Sequence, residues 1–178
     1  MTIGGHDITE MGDQELRLLR RGHIGFVFQF FNLLPMLTAE ENVVLPLSIA
    51  GEKPERGWID ELTEKLGLAE RRGHRPSELS GGQQQRVAIA RALVSKPTIL
   101  FADEPTENLD STTSVEILSL MRETVDGYGQ TTLMLTHDPA AAAIADRILF
   151  LADGQVVKDV GSSSVHEVIS AIEAPTPR

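Results

Sequence analysis

The chain has 178 residues and no cysteine, and its 26 acidic side chains outnumber its 16 basic ones, which gives a formal charge of −10. This charge argues against nucleic acid as a partner, because a nucleic-acid surface needs a basic patch. The lack of cysteine excludes disulfides and thiolate metal sites. No apolar run approaches the roughly 20 residues that cross a bilayer, and residues 1–6 lack the features of a signal peptide. We therefore expect one cytoplasmic domain whose membrane connections come through a partner chain.

The beginning of the chain predicts a turn, a helix and a strand. Residues 3–7 are typical of a strand end and a turn, and Asp13 is expected to cap a helix through Leu19. Residues 23–28 are rich in aromatic and β-branched side chains, which favours a strand. Gln29 follows this strand directly.

Residues 30–37 contain many large apolar side chains for a loop. Such side chains need to be covered, and two arrangements stay open: they fold back on their own helices, or they form a groove for another protein. Thr38-Ala-Glu-Glu41 is a capping box that opens a helix through Leu47. A second amphipathic helix is expected over residues 55–66. We predict a helical subdomain over residues 38–78 and a sheet core formed by the remainder.

The centre of the chain combines a phosphate receptor with a pair of carboxylates. Ser80 is expected to cap a helix whose first turn contains Gly81 and Gly82, so that open backbone N–H groups and the positive end of the helix dipole face outward together. Apolar side chains at helical spacing continue this helix to Leu93. Pro97 then ends it.

Residues 98–102 form a short apolar run of the kind found in parallel strands that are buried on both faces. Asp103 and Glu104 follow at the carboxyl end of this strand, where open α/β sheets bind their ligands. Asp103 is expected to hold Mg²⁺ and Glu104 to orient or deprotonate an attacking water. The alternative is that Asp103 and Glu104 only form a solvated strand end.

The last part of the chain supplies a third strand end. Asp110 is expected to cap a helix over residues 111–125. Residues 130–136 form the next buried strand, and His137 stands at its carboxyl end as Gln29 and Glu104 stand at theirs. A short helix is expected over residues 140–145. The remaining elements are a hairpin of residues 147–151 and 155–158 around Asp153-Gly154, a helix over residues 162–173 and a frayed tail over residues 174–178.

Two phrases, Leu79-Ser-Gly-Gly-Gln83 and Ile99-Leu-Phe-Ala-Asp-Glu104, resemble the signature motif and Walker B of an ATP-binding-cassette ATPase. Residues 24–35, 105–110 and 136–138 are similar to the branch that works with lipoprotein-releasing and macrolide-export permeases. The resemblance implies an α/β fold: a P-loop NTPase-like, mostly parallel sheet core with an inserted α-helical signature subdomain, truncated at its N-terminus. It also implies ATP and Mg²⁺ as ligands.

The resemblance also assigns roles to single residues. Gln29 would reach Mg²⁺ and the attacking water, and His137 would bond the γ-phosphate. Asp110 lies in the phrase that resembles the D-loop between two cassettes. By the same resemblance the nucleotide would be contacted by the residues of the signature motif: Ser80, Gly81, Gly82 and Gln83. Glu107 departs from the pattern, which usually has glycine there; a positive φ would cost a glutamate about 1 kcal/mol.

The expected partners are a second ABC ATPase subunit and an integral-membrane permease that holds the chain at the inner face of the cell membrane. The chain has no Gly-x-x-x-x-Gly-Lys-Ser/Thr, and none of its four lysines follows a glycine-rich loop. Family members carry this P-loop upstream of the matching residues, so a fragment with poor stability is expected. Two functions stay open: an ATP-hydrolysing transporter subunit, or a non-hydrolysing subunit that offers its signature motif to a complete cassette.

Overall fold

The computed structural model of the chain describes residues 2–173, apart from the side chain of His6. The chain divides into two compact units, residues 1–135 and 136–178. The first unit contains the parallel sheet and most of the helices. Its elements are β1 (Thr2–Ile3), β2 (His6–Asp7), α1 (Asp13–His23), β3 (Ile24–Val27), α2 (Ala39–Ala50), α3 (Arg56–Lys65), α4 (Gly81–Leu93), β4 (Ile99–Asp103), α5 (Ser111–Tyr128) and β5 (Thr131–Leu135).

Local capping chemistry explains where the helices of the first unit begin. Thr38 caps α2 as predicted: its hydroxyl accepts from the Glu41 N–H at 3.3 Å, and the Glu41 carboxylate accepts from the Thr38 N–H at 2.7 Å. The prediction that Asp13 caps α1 is wrong by one residue, because Gly12 is the cap and Asp13 is the first helical residue. The helix α5 runs three residues beyond its predicted end and stops at Tyr128.

The strands of the first unit's larger sheet are parallel in the order β3-β4-β5. One face of this sheet packs on helices, and Leu100 and Ala102 of β4 are buried there. Gly25 of β3 lies so close to α4 that a Cβ atom would stand 2.4 Å from the backbone oxygen of Ala92. A glycine is therefore required at this position for β3 and α4 to approach each other.

The opposite face of the sheet is open, which corrects the predictions that β4 is buried on both faces and that β5 is a buried strand. The aromatic ring of Phe26 stacks on that of Phe101 at 5.5 Å, and Leu133 pairs with Phe101 in the register of β4 and β5. Phe26 is 40% exposed and Leu133 52% exposed. We call Phe26, Phe101 and Leu133 the open row; it is an apolar cross-strand set that the described residues leave accessible to water.

The second unit contains a hairpin and two short helices: α6 (Pro139–Ala142), β6 (Arg147–Ala152), β7 (Gln155–Gly161) and α7 (Val165–Glu173). The predicted hairpin is confirmed, because β6 and β7 pair antiparallel and both Asp153 and Gly154 have positive φ, as a type I′ turn requires. The helix α6 is shorter than predicted, and α7 begins at Val165 instead of residue 162. The predicted frayed tail lies outside the described residues.

Within residues 38–78 the structure has only helical elements: α2, α3 and short 3-10 turns at Ala69–Arg71 and Pro76–Glu78. The boundaries of a separate helical subdomain stay a prediction. No helix within residues 2–173 combines the length and the apolar character that crossing a bilayer requires.

Candidate functional site

The N-terminus of α4 has the geometry expected of a phosphate receptor. The Ser80 hydroxyl accepts from the Gln83 N–H at 3.3 Å, and the Gln83 side-chain oxygen accepts from the Ser80 N–H at 3.0 Å. This reciprocal capping box fixes the first turn of the helix. The sequence prediction that Ser80 caps this helix is confirmed.

Gly82 brings the start of α4 against α5. A Cβ atom at Gly82 would lie 2.4 Å from Cγ2 of Thr113, a distance that no real side chain tolerates. A groove of about 370 Å³ opens beside this contact. Its lining residues are Gly67, Ser80, Gly82, Gln83, Arg86, Thr113 and Glu116. The groove gives a ligand access to the capped end of α4.

Asp103 and Glu104 stand where β4 ends, as predicted. Asp103 is the last residue of the strand and is exposed, whereas Glu104 is half-buried. Glu104 has a φ of +42°, a left-handed conformation that is uncommon for a residue with a side chain. Its N–H donates to the Leu135 carbonyl at 2.9 Å, so the turn at Glu104 is joined to the end of β5.

Gln29 and Glu104 each lie two residues beyond the last register pair of β3 and β4. Val27 of β3 pairs with Ala102 of β4, and each of the two polar residues lies two positions beyond its paired residue. The segment after β4 also holds the loop after β3, because Asn108 donates from Nδ2 to the backbone oxygen of Gln29 at 3.0 Å. Gln29 and the acidic pair therefore follow the ends of adjacent parallel strands, and their joint role in one site stays a prediction.

The segment that follows Glu104 is less strained than the sequence led us to expect. Glu107 does not have positive φ, so the cost anticipated for a glutamate at this position does not arise. Asp110 caps α5: its carboxylate accepts from the Thr113 N–H at 3.0 Å and from the Thr113 hydroxyl at 2.6 Å. These two hydrogen bonds, led by the one from the hydroxyl, hold the pKa of Asp110 below its ordinary value.

Two side chains of α4 that sequence reasoning missed hold the loops of the site. Arg91 donates to the backbone oxygen of Asn32 at 2.5 Å and to that of Phe31 at 2.8 Å, and burial lowers the pKa of its guanidinium. Gln85 is fully buried and donates from Nε2 to the Pro105 carbonyl at 2.6 Å. The signal for these two residues in the sequence is their polar character within a helix of buried apolar neighbours.

The loop over residues 30–37 is partly packed and partly open. Leu33 packs against the core, whereas Phe30 is 69% exposed and Met36 is 76% exposed. Asn42 anchors the loop, since its buried side chain accepts from the Leu34 N–H at 2.8 Å. A second groove of about 340 Å³ lies nearby, with Phe28 and Ile49 in its lining. The loop therefore folds back on the core in part, and its use as a groove for another protein stays a prediction.

The donor chemistry at the end of β4 fits a magnesium ion. Mg²⁺ takes one or two protein carboxylates and completes its shell with waters and substrate phosphates. Asp103 offers an exposed carboxylate, and Gln29 follows β3, the strand that pairs with β4, by two residues. In the described part of the chain no three His, Cys, Asp or Glu side chains form a metal cluster, and the Mg²⁺ mode of binding requires none.

His137 follows β5 by two residues in the chain and belongs to the second unit. Its predicted placement beside Gln29 and Glu104 stays a prediction.

A parallel α/β sheet with acidic residues at the carboxyl end of a strand, next to a capped glycine-containing helix, defines a class of nucleotide-hydrolysing ATP-binding cassettes. Comparison with known proteins supports this class. The chain matches the ABC transporter family over residues 1–107. It is 47% identical to the lipoprotein-releasing system ATP-binding protein LolD 1 of Rhodospirillum rubrum, with 87% of this chain and 70% of that protein covered.

The chain is also 47% identical to the macrolide export ATP-binding/permease protein MacB of Marinobacter nauticus. That match covers 90% of this chain but only 25% of the MacB protein. Among solved structures, the chain is similar to the dimeric ATP-binding cassette MJ0796 in a post-hydrolysis state bound to ADP and Pi. That likeness has a TM-score of 0.77 and 41% identity, and it covers 91% of this chain and 72% of that one.

The chain belongs to the ABC transporter family. Within this family its place is that of the ATP-binding, ATP-hydrolysing subunit of a transporter. The family and the fold class predicted from the sequence are both confirmed.

Proposed function

We propose that Glu104 activates the water that attacks the γ-phosphate of ATP, and that Asp103 and Gln29 hold the Mg²⁺ of the substrate. Ser80, Gly81, Gly82 and Gln83 bind the γ-phosphate of an ATP held by a second cassette. Asp110 lies at the contact between the two cassettes, and His137 supports the attacking water. The observation that carries this proposal is the register of β3 and β4, which puts Gln29 and Glu104 each two residues beyond a paired position. The Asn108 hydrogen bond to Gln29 also joins the loop after β3 to the segment after β4.

The chemistry of hydrolysis requires little covalent work from the protein, since phosphoryl transfer is accelerated mainly by positioning and by stabilising charge. The Glu104 carboxylate would accept a proton from the attacking water. The backbone of Glu104 is held in place by the hydrogen bond from its N–H to the Leu135 carbonyl. Mg²⁺, when bound, neutralises charge that develops on the phosphates. The N–H groups of the first turn of α4, with the dipole of the helix, offer a second source of positive potential.

The partners follow from the same relatives. The similar dimeric cassette supports a second ATPase subunit as partner, and the MacB relative unites ATP-binding and permease parts in one named protein. We propose that the exposed apolar side chains of Phe30 and Met36 contact the permease, whose membrane location places this subunit at the inner face of the cell membrane.

The catalytic assignment is tested with Glu104→Gln, which keeps the size of the side chain and removes its basicity. The native polypeptide is purified from its source, its intact mass and N-terminal sequence are measured, and hydrolysis of MgATP is then assayed. We expect turnover to fall about 100-fold or more, because a general base and its charge are lost. ATP binding is expected to persist, measured by equilibrium binding of labelled nucleotide.

The matched control is Glu107→Gln, the same chemical change on an exposed carboxylate three residues further along. It is expected to leave turnover within about twofold, as for surface substitutions away from the reacting atoms. Undiminished hydrolysis by Glu104→Gln would contradict the assignment. If the native protein does not hydrolyse ATP but restores hydrolysis to a complete cassette through Ser80, the second function considered from the sequence is the correct one.

A further inference from the structure

The helix that begins at the signature motif also reaches the turn that carries Glu104. Gln85 lies five residues after Ser80 on α4 and is completely buried. Its Nε2 donates to the backbone oxygen of Pro105 at 2.6 Å. A fully buried amide is costly unless its groups are bonded, so this hydrogen bond fixes the side chain in one position.

The Glu104–Pro105 turn needs to be held. Glu104 has a φ of +42° although it is not a glycine, and a residue that precedes proline is further restricted in its backbone. Such conformations persist only where surrounding contacts determine them. The Glu104 N–H is fixed from β5 by Leu135, and Pro105 is fixed from α4 by Gln85.

Gln85 has a second feature that a purely stabilising residue would lack. Its Oε1 is buried without a hydrogen-bond partner in the structure. An apolar side chain of similar size at this position would avoid the penalty for that unpaired oxygen. The amide is therefore better explained by the bond it makes to Pro105 than by a net gain in stability.

We infer that Gln85 is a positioning residue for Glu104, and that it transmits movement of the signature helix to the backbone of the catalytic carboxylate. A ligand at Ser80 contacts the first turn of α4, and Gln85 connects the second turn of the same rigid helix to Pro105. Occupation of the signature motif would in this way adjust the residue that activates water. This inference rests on the proposed role of Glu104, but the contact itself is tested without any catalysis.

The experiment measures hydrogen exchange at the Glu104 amide in the whole chain, with Gln85→Leu as the test variant. Leucine fills a similar volume and cannot donate to Pro105. We expect the protection factor of the Glu104 amide to fall about tenfold, because the turn opens locally more often. The control is Thr124→Val, which removes a different buried hydrogen-bond donor: the Thr124 hydroxyl donates to the Met121 carbonyl at 2.7 Å, far along α5. It should leave the Glu104 amide unchanged.

A second variant keeps the test valid if Gln85→Leu does not fold. Gln85→Glu places a carboxyl in the same buried position, where burial raises its pKa. The protonated carboxyl donates to Pro105 and the ionised one repels it. The protection factor of the Glu104 amide should therefore rise about severalfold from pH 8 to pH 5 in this variant alone. No pH dependence relative to the native chain would overturn the inference.

Turnover separates the positioning role from general stability. In the hydrolysis assay described above, Gln85→Leu is expected to lower kcat about tenfold and to leave the KM for ATP within about twofold, because the reacting group is displaced while the binding groups stay in place. An equal protection factor and an equal kcat in Gln85→Leu and the native protein would overturn the inference. If Glu104→Gln retains activity while the exchange result holds, the role of Glu104 fails and the contact stands.

Discussion

Asn108 donates a hydrogen bond from its side-chain nitrogen to the backbone oxygen of Gln29 at 3.0 Å, across 79 residues of sequence. The contact joins the loop after β3 to the segment after β4, and hence the two strand ends at which we place the magnesium ligands. Asn108→Ala removes it. Turnover is expected to fall about tenfold, because the two strand ends are no longer held in alignment. The free energy of unfolding should fall by less than about 1 kcal/mol, because Asn108 is exposed. Steady-state hydrolysis and urea unfolding measure the two quantities; a matched loss of both would contradict the alignment role.

The close contact between Gly82 and Thr113 predicts that a substitution at Thr113 restores the stability lost by a substitution at Gly82. Gly82→Ala would place its Cβ 2.4 Å from Cγ2 of Thr113, so the free energy of unfolding should fall by about 1–3 kcal/mol through overpacking. Thr113→Ser removes that methyl group and keeps the hydroxyl that bonds Asp110. The double variant should recover most of the loss, as measured by a double-mutant cycle in urea. Gly81→Ala, whose Cβ would stand 3.4 Å from Leu109, is the neighbouring control.

The cap of α5 predicts a dependence on pH. The hydroxyl and N–H of Thr113 hold the pKa of Asp110 below its ordinary value of 3.8. The ionised cap therefore stabilises the fold at pH values above that ordinary value, and this contribution is lost as the pH falls through the lower pKa of the folded state. Asp110→Asn keeps a capping oxygen and does not titrate. The difference in unfolding free energy between the native chain and this variant should shrink on acidification; a constant difference would show that the cap does not depend on its charge.

The contacts of Arg91 predict that replacing it with lysine lowers the stability of the fold even though the charge is kept. Its guanidinium reaches two carbonyls, those of Phe31 and Asn32, and both of these residues have positive φ. A lysine presents a single ammonium group and cannot make this forked contact. Arg91→Lys should lower the free energy of unfolding by about 1–2 kcal/mol.

The control for Arg91 is Arg56→Met, which breaks an exposed ion pair with Glu40 and should cost less than about 1 kcal/mol. Urea unfolding measures both variants. A loss in Arg91→Lys no larger than that in Arg56→Met would show that the forked contact stabilises the fold no more than an exposed ion pair does.

Local chemistry made several parts of the fold predictable. The caps at Ser80 and Thr38 and the type I′ turn at Asp153-Gly154 each depend on residues within four positions of one another. The acidic pair after β4 was predictable because the apolar run before it marks a strand. Burial was predicted wrongly from the apolar residues of β4 and β5: Phe101 and Leu133 are apolar, yet their face of the sheet is open.

Other features could not be obtained from sequence because they depend on distant contacts. The positive φ of Glu104 runs against the usual preference of a residue before proline, and it is held by Leu135 and by Gln85 through Pro105. Gln85 has the same side chain as its half-buried neighbours Gln83 and Gln84, and only the packing of α4 buries it fully. The placement of His137 depends on how the chain continues after β5, which no local pattern specifies.

The open row has a practical consequence for work with this protein. Phe26, Phe101 and Leu133 present apolar surface on a sheet whose other face is packed. Dyes that fluoresce on apolar surfaces should therefore bind the intact fold at low temperature. A bright initial signal in a thermal melt should be expected of the native state, and circular dichroism or intrinsic fluorescence of Trp58 should be used to follow unfolding instead.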